Sequence, residues 1–338
     1  MTASVRSPDQ PAAWLGWVAS ARAWLFLAFL IIAFEIWSQA SFQATFLANP
    51  YNIRSIAVFA VAPLLLAIGQ TFVIISGGID LSVGFTMGFA AVIVANVANL
   101  ATPVLGTIPG LIVAVAVAVG ASIIPGLVNG LLIAQLRVPP FIGTLGMYGV
   151  ARGVAYLLAG GTTVPFTNDA LSYLGNGTLG GIPVVVLLTV LAMLVLHYLL
   201  SQTRFGQYTY AIGGNRAAAV RAGINVKRVT VLLYILSSVC AAVGGILYAG
   251  RFSAGAAQAG EPLLLDSIAA VVIGGASLFG GSGTIVGTLI GALIVAVIQY
   301  GLVFINVEPF WQFVAVGVVI IISVLVDQSQ RKGGRVDE

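Results

Sequence analysis

Residues 55–100 form a 46-residue apolar stretch interrupted only at Ser76-Gly77-Gly78-Ile79-Asp80. That stretch constrains the fold more than any other feature of the chain. One continuous helix of this length would extend about 69 Å, more than twice a hydrocarbon core of about 30 Å. The chain must cross twice and turn at the interruption. Glycine there can end one helix in the left-handed conformation. Asp80 can open the next by accepting a free backbone N–H at the positive helix end. An ionised carboxylate in hydrocarbon is otherwise costly, so the cap, or a water-lined break, gives Asp80 a reason to be there.

Composition extends the argument to the whole chain. Hydrophobic residues make up 59% and charged residues 7%, against about a quarter charged in a soluble domain. Besides the pair within 55–100, spans are expected at 17–38, 104–135, 141–159, 184–202, 229–250, 264–280, 284–304 and 311–326, about ten in all. Segment 104–135 is too long for one straight crossing, so Pro125-Gly126 is expected to kink it or divide it into a span and a half-helix. Trp14, Trp17 and Trp24 near one end of the first span and Trp37 near the other suit interfacial anchors. The apolar run ending at Trp37 has no small-residue cleavage site after it and reads as an uncleaved span, or equally as a signal anchor. The expected class is an all-α, polytopic integral membrane protein with broken or re-entrant helices. It would have a cytoplasmic tail 1–16, a membrane domain 17–326 with an inner loop 203–228, and a cytoplasmic tail 327–338.

Charge placement supports this topology. With the N-terminus inside, the inner segments hold Arg6, Arg22, Arg137, Arg204, Arg216, Arg221, Lys227, Arg228, Arg331, Lys332 and Arg335. Arg54, Arg152 and Arg251 fall toward the outside, eleven against three. The net charge of +4 is therefore a topology signal and points to no nucleic-acid partner. One cysteine, Cys240, and one histidine, His197, build neither a disulfide framework nor a metal site.

Two glycine patterns stand out. "GGIDLSVGFTMG" (77–88) aligns with "GGSGTIVGTLIG" (280–291), and both lead into a span from the inner side. Helix breaks are expected at Gly77, Gly78 and Asp80, and at Gly280 and Gly281, as in transporters built from repeats; with Gly at 12% of the chain, coincidence is the competing account. Gly283, Gly287 and Gly291 recur every fourth residue, a flat strip that permits close helix packing or, functionally, sliding.

The ionisable residues inside the membrane are Glu35, Asp80, Arg152, His197 and Asp266. Each is a proton-relay or substrate group by position, and each has a structural alternative as a cap, a snorkelling side chain or a span-end residue. Arg152, well inside span 141–159, is the hardest to dismiss. No zinc-protease, nucleophile-elbow or phosphate-loop motif occurs, since Lys227 is followed by Arg and Lys332 by Gly. An integral membrane enzyme is thus disfavoured, and any nucleotide site must lie on another chain. In the inner loop, "GGNRAAAVRAGI" (213–224) reads as a short helix standing out of the membrane with Asn215 as its cap, or else as a basic loop that only fixes topology.

Four blocks carry a family resemblance: "GQTFVIISGGIDLSVG" (69–84), "GLVNGLLIAQLRVPPFIGTLGMYGVARGVAYLLAGG" (126–161), "TRFGQYTYAIGGNRAAAVRAGINVKR" (203–228) and "SIAAVVIGGASLFGGSGTIVGTLIGALI" (267–294). In this order, over about residues 50–327, they resemble the permease subunit of bacterial ATP-binding-cassette monosaccharide importers, the ribose, xylose, arabinose and galactose branch. Nucleoside and branched-chain amino-acid permeases share the last block. The resemblance implies an inner-membrane protein working with a second permease subunit, a cytoplasmic ATPase that uses ATP and Mg, and a periplasmic sugar-binding protein. It implies that Gly213, Gly214, Asn215, Arg216, Ala217, Ala218, Ala219, Arg221, Gly223 and Ile224 form the coupling helix that docks in the ATPase. Sugar hydroxyls need hydrogen-bonding groups, so the substrate-path candidates are Asp80, Asn129, Thr144, Tyr148 and Arg152. The competing class is an ion- or proton-coupled carrier that uses Asp80 or Arg152.

Overall fold

The computed structural model describes residues 13–308 and 310–333. The rest of the expected tails, 1–12 and 334–338, lies outside the described residues. The helices are α1 (Ala13–Phe42), α2 (Pro50–Ile75), α3 (Val83–Leu105), α4 (Thr107–Ala134), α5 (Pro140–Leu158), α6 (Asp169–Asn176), α7 (Val184–Gln202), α8 (Arg204–Gly214), α9 (Arg216–Arg221), α10 (Val226–Phe252), α11 (Leu263–Ile273), α12 (Ile285–Phe304) and α13 (Phe310–Gly333). Among the described residues, eight helices are long and apolar enough to cross a membrane: α1, α2, α3, α4, α5, α7, α10 and α12. The only described strands are two-residue pairs, such as Val164–Pro165 against Ala254–Gly255.

α2, α3, α4 and α10 form the centre, with α10 packed on the other three. Their shared core includes Leu66, Phe72, Met87, Leu233 and Ala241, all fully buried. α1, α11 and α12 build a second cluster around Phe46, Ile294 and Tyr300. The buried polar groups among these helices are bonded locally. Tyr300 OH donates to Asn52 Oδ1 (2.6 Å), and Gln299 Nε2 donates to Asp266 Oδ2 (2.7 Å). Glu35 Oε2 accepts the backbone N–H groups of Phe46 and Leu47, each at 2.8 Å, and so ties the end of α1 to the chain returning toward α2. Glu35 is thus a clip between α1 and the returning chain, where a snorkelling side chain was the structural expectation, and Asp266 lies in the first turn of α11 as expected.

The turn expected at 76–80 is present. α2 ends in a Schellman motif: Gly77 has φ +81°, its N–H donates to Ile74 O, and that of Gly78 donates to Val73 O. Three expectations need correction. Segment 104–135 is not divided, because α4 carries Pro125 as one 28-residue helix; within a bundle a missing hydrogen bond is tolerated where neighbours and local adjustment re-satisfy the freed carbonyl. The span 264–280 does not exist as such. α11 has 11 residues, about 16 Å, and stops at a second Schellman turn where Gly275 takes φ +89°. Among the described residues this leaves eight helices long and apolar enough to cross, beside the short α11 and the apolar stretch Phe310–Ile322 that opens the 24-residue α13. α13 also continues past the expected span end at 326, as far as Gly333.

The glycine strip packs as expected on α12. A side chain at Gly287 or Gly291 would overlap the carbonyl oxygen of Gly274 or Ala270 on the α11 side. Gly283 precedes the helix and is not part of the strip.

Candidate functional site

The inner segment between α7 and α10 is ordered, but not as one helix over 213–224. Gly213 and Gly214 end α8, and α9 is the six-residue turn Arg216–Arg221. The cap is where the sequence put it: Asn215 Oδ1 accepts the Ala218 N–H at 2.9 Å. Gly223 (φ +81°) stops α9, and the Ile224 N–H returns to Ala219 O. Ala219 is buried and Ile224 half-buried, which anchors the segment, while Asn215, Arg216, Ala217, Ala218, Val220 and Arg221 are exposed. The result is a small, flat, basic-edged knob.

The root of that knob is among the closest backbone approaches of the described residues. A Cβ on Gly213 would overlap the Ile75 carbonyl oxygen at the end of α2 and lie 2.6 Å from the Gly281 nitrogen. Gly281 N donates to that same Ile75 oxygen (2.8 Å). A Cβ on Gly280, itself at φ +88°, would stand 3.0 Å from both Gly77 Cα and Gly213 O. Tyr210 OH on α8 donates to Gly283 O (2.6 Å). Both expected breaks, Gly77–Gly78 and Gly280–Gly281, therefore meet each other and the base of α9, backbone against backbone. Glycine alone permits this approach. A displacement of α9 has no compressible side chain through which to dissipate before it reaches the two turns.

The five path candidates separate into two groups. Asp80, Asn129 and Thr144 are fully buried within the chain. Asp80 Oδ1 accepts the Ser82 N–H (3.0 Å) and hydroxyl (2.6 Å), so it caps the approach to α3 from two residues upstream of the helix's own boundary. Asn129 Nδ2 donates to Ser82 Oγ (2.9 Å), and Gln70 Nε2 donates to Asp80 O (2.7 Å). Thr144 Oγ1 donates to Pro140 O (2.8 Å), an ordinary helix back-bond.

Tyr148 and Arg152 follow Thr144 at four-residue spacing along α5, where the stripe grows progressively less buried. Arg152 is exposed, with its guanidinium carbon 5.2 Å from the centre of the Phe85 ring. The Tyr148 ring stands edge-on to Phe85 at 4.7 Å, and its OH donates to Glu261 Oε1 at 3.3 Å. A guanidinium, a phenol and a carboxylate over an aromatic base make a surface suited to a polyol. Gly146, Gly149 and Gly153 lie along the same helix with open space beyond each. Glu261 and Phe85 were not singled out from sequence. Glu261 is 113 residues from its partner Tyr148, and its only local signal is the following Pro262 beside the span.

The chain matches the family described as "Branched-chain amino acid transport system / permease component" over residues 52–324. It belongs to that permease family. The permease is 41% identical over 285 residues to the ribose import permease protein of Bacillus subtilis (strain 168), covering 83% of this chain and 86% of that protein. It is 38% identical over 319 residues to the ribose import permease protein of Escherichia coli (strain K12), covering 92% and 96%. Its identity to the galactose/methyl galactoside import permease protein of the same strain is 36% over 301 residues, covering 85% and 89%. No solved structure matches the permease significantly. It is a multi-pass membrane protein of import-permease type.

Proposed function

We propose that this permease forms the translocation path of an ATP-binding-cassette importer for a monosaccharide delivered by a periplasmic binding protein. The observation that carries the coupling is the Asn215-capped knob whose glycine root is wedged between both helix breaks. A cytoplasmic ATPase that binds ATP and Mg would engage the exposed residues 215–221 and push on the turns at 75–78 and 280–283. The chain itself moves solute and carries out no chemical step. Sugar permeases among the relatives favour a sugar over a branched-chain amino acid, and the uncharged solute suits a path with one exposed guanidinium.

A second permease copy would pack along α5, where Gly149 and Gly153 at four-residue spacing leave room for a close helix. Tyr148, Arg152 and Glu261 would then face the path between the two copies. The protein would sit in the bacterial inner membrane with both termini and α9 cytoplasmic, consistent with Arg204, Arg216, Arg221, Lys227 and Arg228 clustering at that end.

The test is reconstitution with the ATPase and the binding protein, and a screen of ATP hydrolysis across pentoses and hexoses. Hydrolysis stimulated only by sugar-loaded binding protein supports the assignment. Uptake that persists without ATP and collapses with an uncoupler favours the ion-coupled carrier instead.

A further inference from the structure

We infer that the buried polar cluster around Asp80 binds a dehydrated monovalent cation of about the size of sodium. Five oxygens there have no hydrogen-bond partner: Gln70 Oε1, Asp80 Oδ2, Asn129 Oδ1, Ser237 Oγ and Ser238 Oγ. All five residues have zero solvent exposure. Native interiors leave only a few such atoms per hundred residues, and a concentration of them at one place calls for an explanation.

The five come from α2, the break, α4 and α10, and the surrounding contacts hold them together. Gln70 is bonded to Asp80 through its amide nitrogen, which turns its carbonyl oxygen away from that bond. Asn129 is likewise committed to Ser82 through its nitrogen. Ser237 borders the Asp80 carboxylate, and its backbone lies against Gly69, next to Gln70. The Ser238 hydroxyl closes on Gly126, one turn from Asn129, where an added Cβ would meet it at 2.7 Å.

The chemistry selects the occupant. Both amides present acceptors, so the cluster has an excess of oxygen lone pairs. The only formal charge is that of Asp80, and the groups bonded to its carboxylate are the hydroxyl and backbone N–H of Ser82, with no Lys, Arg or His among them. A water would satisfy acceptors but leave the charge unbalanced in a dry interior. A divalent ion would leave a net positive charge, and the described residues contain no group of three His, Cys, Asp or Glu to hold one. Hard oxygen donors with a single carboxylate match a monovalent ion. Unwound backbone between two helix ends is where membrane transporters place such ions. Bound there, the cation would brace α2, α4 and α10 around the break that abuts the root of α9.

The inference does not depend on which solute is carried. The test is the thermal unfolding midpoint of the purified permease in sodium, potassium or choline chloride at equal ionic strength, with equilibrium binding of radioactive sodium. Sodium should raise the midpoint saturably by roughly 3–5 °C over choline. Asp80→Asn, which keeps the oxygen that caps Ser82, should remove that dependence, and Ser237→Ala should raise the half-saturating concentration about tenfold. If Asp80→Asn does not fold, the wild-type titration and Ser237→Ala decide. A wild-type midpoint indifferent to the cation, with no saturable sodium binding, overturns the proposal. Sodium dependence that survives in Asp80→Asn overturns it as well.

Discussion

Two glycine-rich regions of this permease look alike in sequence and differ in structure. At the junction beneath α9, Gly77, Gly213 and Gly280 bring three backbones together: an added Cβ would clash at Gly213 and crowd its neighbours at Gly280, while at Gly77 it is the left-handed φ of +81° that calls for glycine. On α5, Gly146, Gly149 and Gly153 face open space. The first region is solid within one protomer and can pass force. The second is unfinished and can receive another surface, a helix or a solute. The density of glycine therefore reveals little by itself; what lies opposite each glycine decides its role.

Substitutions can break this comparison, and the largest effect is expected at the junction. Gly213→Leu would drive a branched side chain into the Ile75 carbonyl and should lower ATP-driven uptake by tenfold or more, roughly the scale of a backbone overpacking penalty. Uptake within about twofold of wild type would show that the junction is not rigid.

On the open face, Arg152→Ala should reduce transport about tenfold, as expected for losing one charged hydrogen-bonding group. ATPase binding and the affinity of the binding protein for sugar should not change. Equal loss of ATPase binding would place Arg152 in folding and not on the path.

Asn215→Ala removes a helix cap worth about 1 kcal/mol and should weaken coupling several-fold. Asn215→Asp or Asn215→Ser should restore it, because each still accepts the Ala218 N–H. The ratio of ATP hydrolysed to sugar moved is the readout. An unchanged ratio in Asn215→Ala, with the ATPase still bound, would refute the assignment of α9 as the lever.

The smallest effect belongs to Gly149→Ala, expected within about twofold in uptake for an isolated protomer surface. Gly149→Trp sharpens the contrast. If a second copy packs there, the bulky residue should lower the dimer fraction measured by light scattering in detergent. Gly317→Ala on α13, also open, should not lower it.

Much of the architecture was legible because hydrocarbon imposes a length. Every apolar run near the span length is a helix, and the break at 76–80 followed from arithmetic alone. The Asn215 cap was legible because an Asn before an alanine-rich turn has a local meaning. The length of α11 was not. "SIAAVVIGGASLFGG" is apolar or small throughout, and only the left-handed turn at Gly275 shows where the helix stops. The division among the path candidates was also hidden. Asp80 and Arg152 are both charges among apolar neighbours, and sequence spacing does not tell whether a charge faces four packed helices or an open groove. Glu261 stayed out of view because its role arises from a contact across the fold.

The central claim is that the chain supplies a path and a lever, while the driving force comes from a partner acting on α9. Uptake of labelled sugar into sealed vesicles tests it directly, with the permease alone and then with the ATPase, ATP and loaded binding protein. Accumulation above the external concentration only in the complete system is the expected result. Accumulation against the gradient by the permease alone would contradict the account.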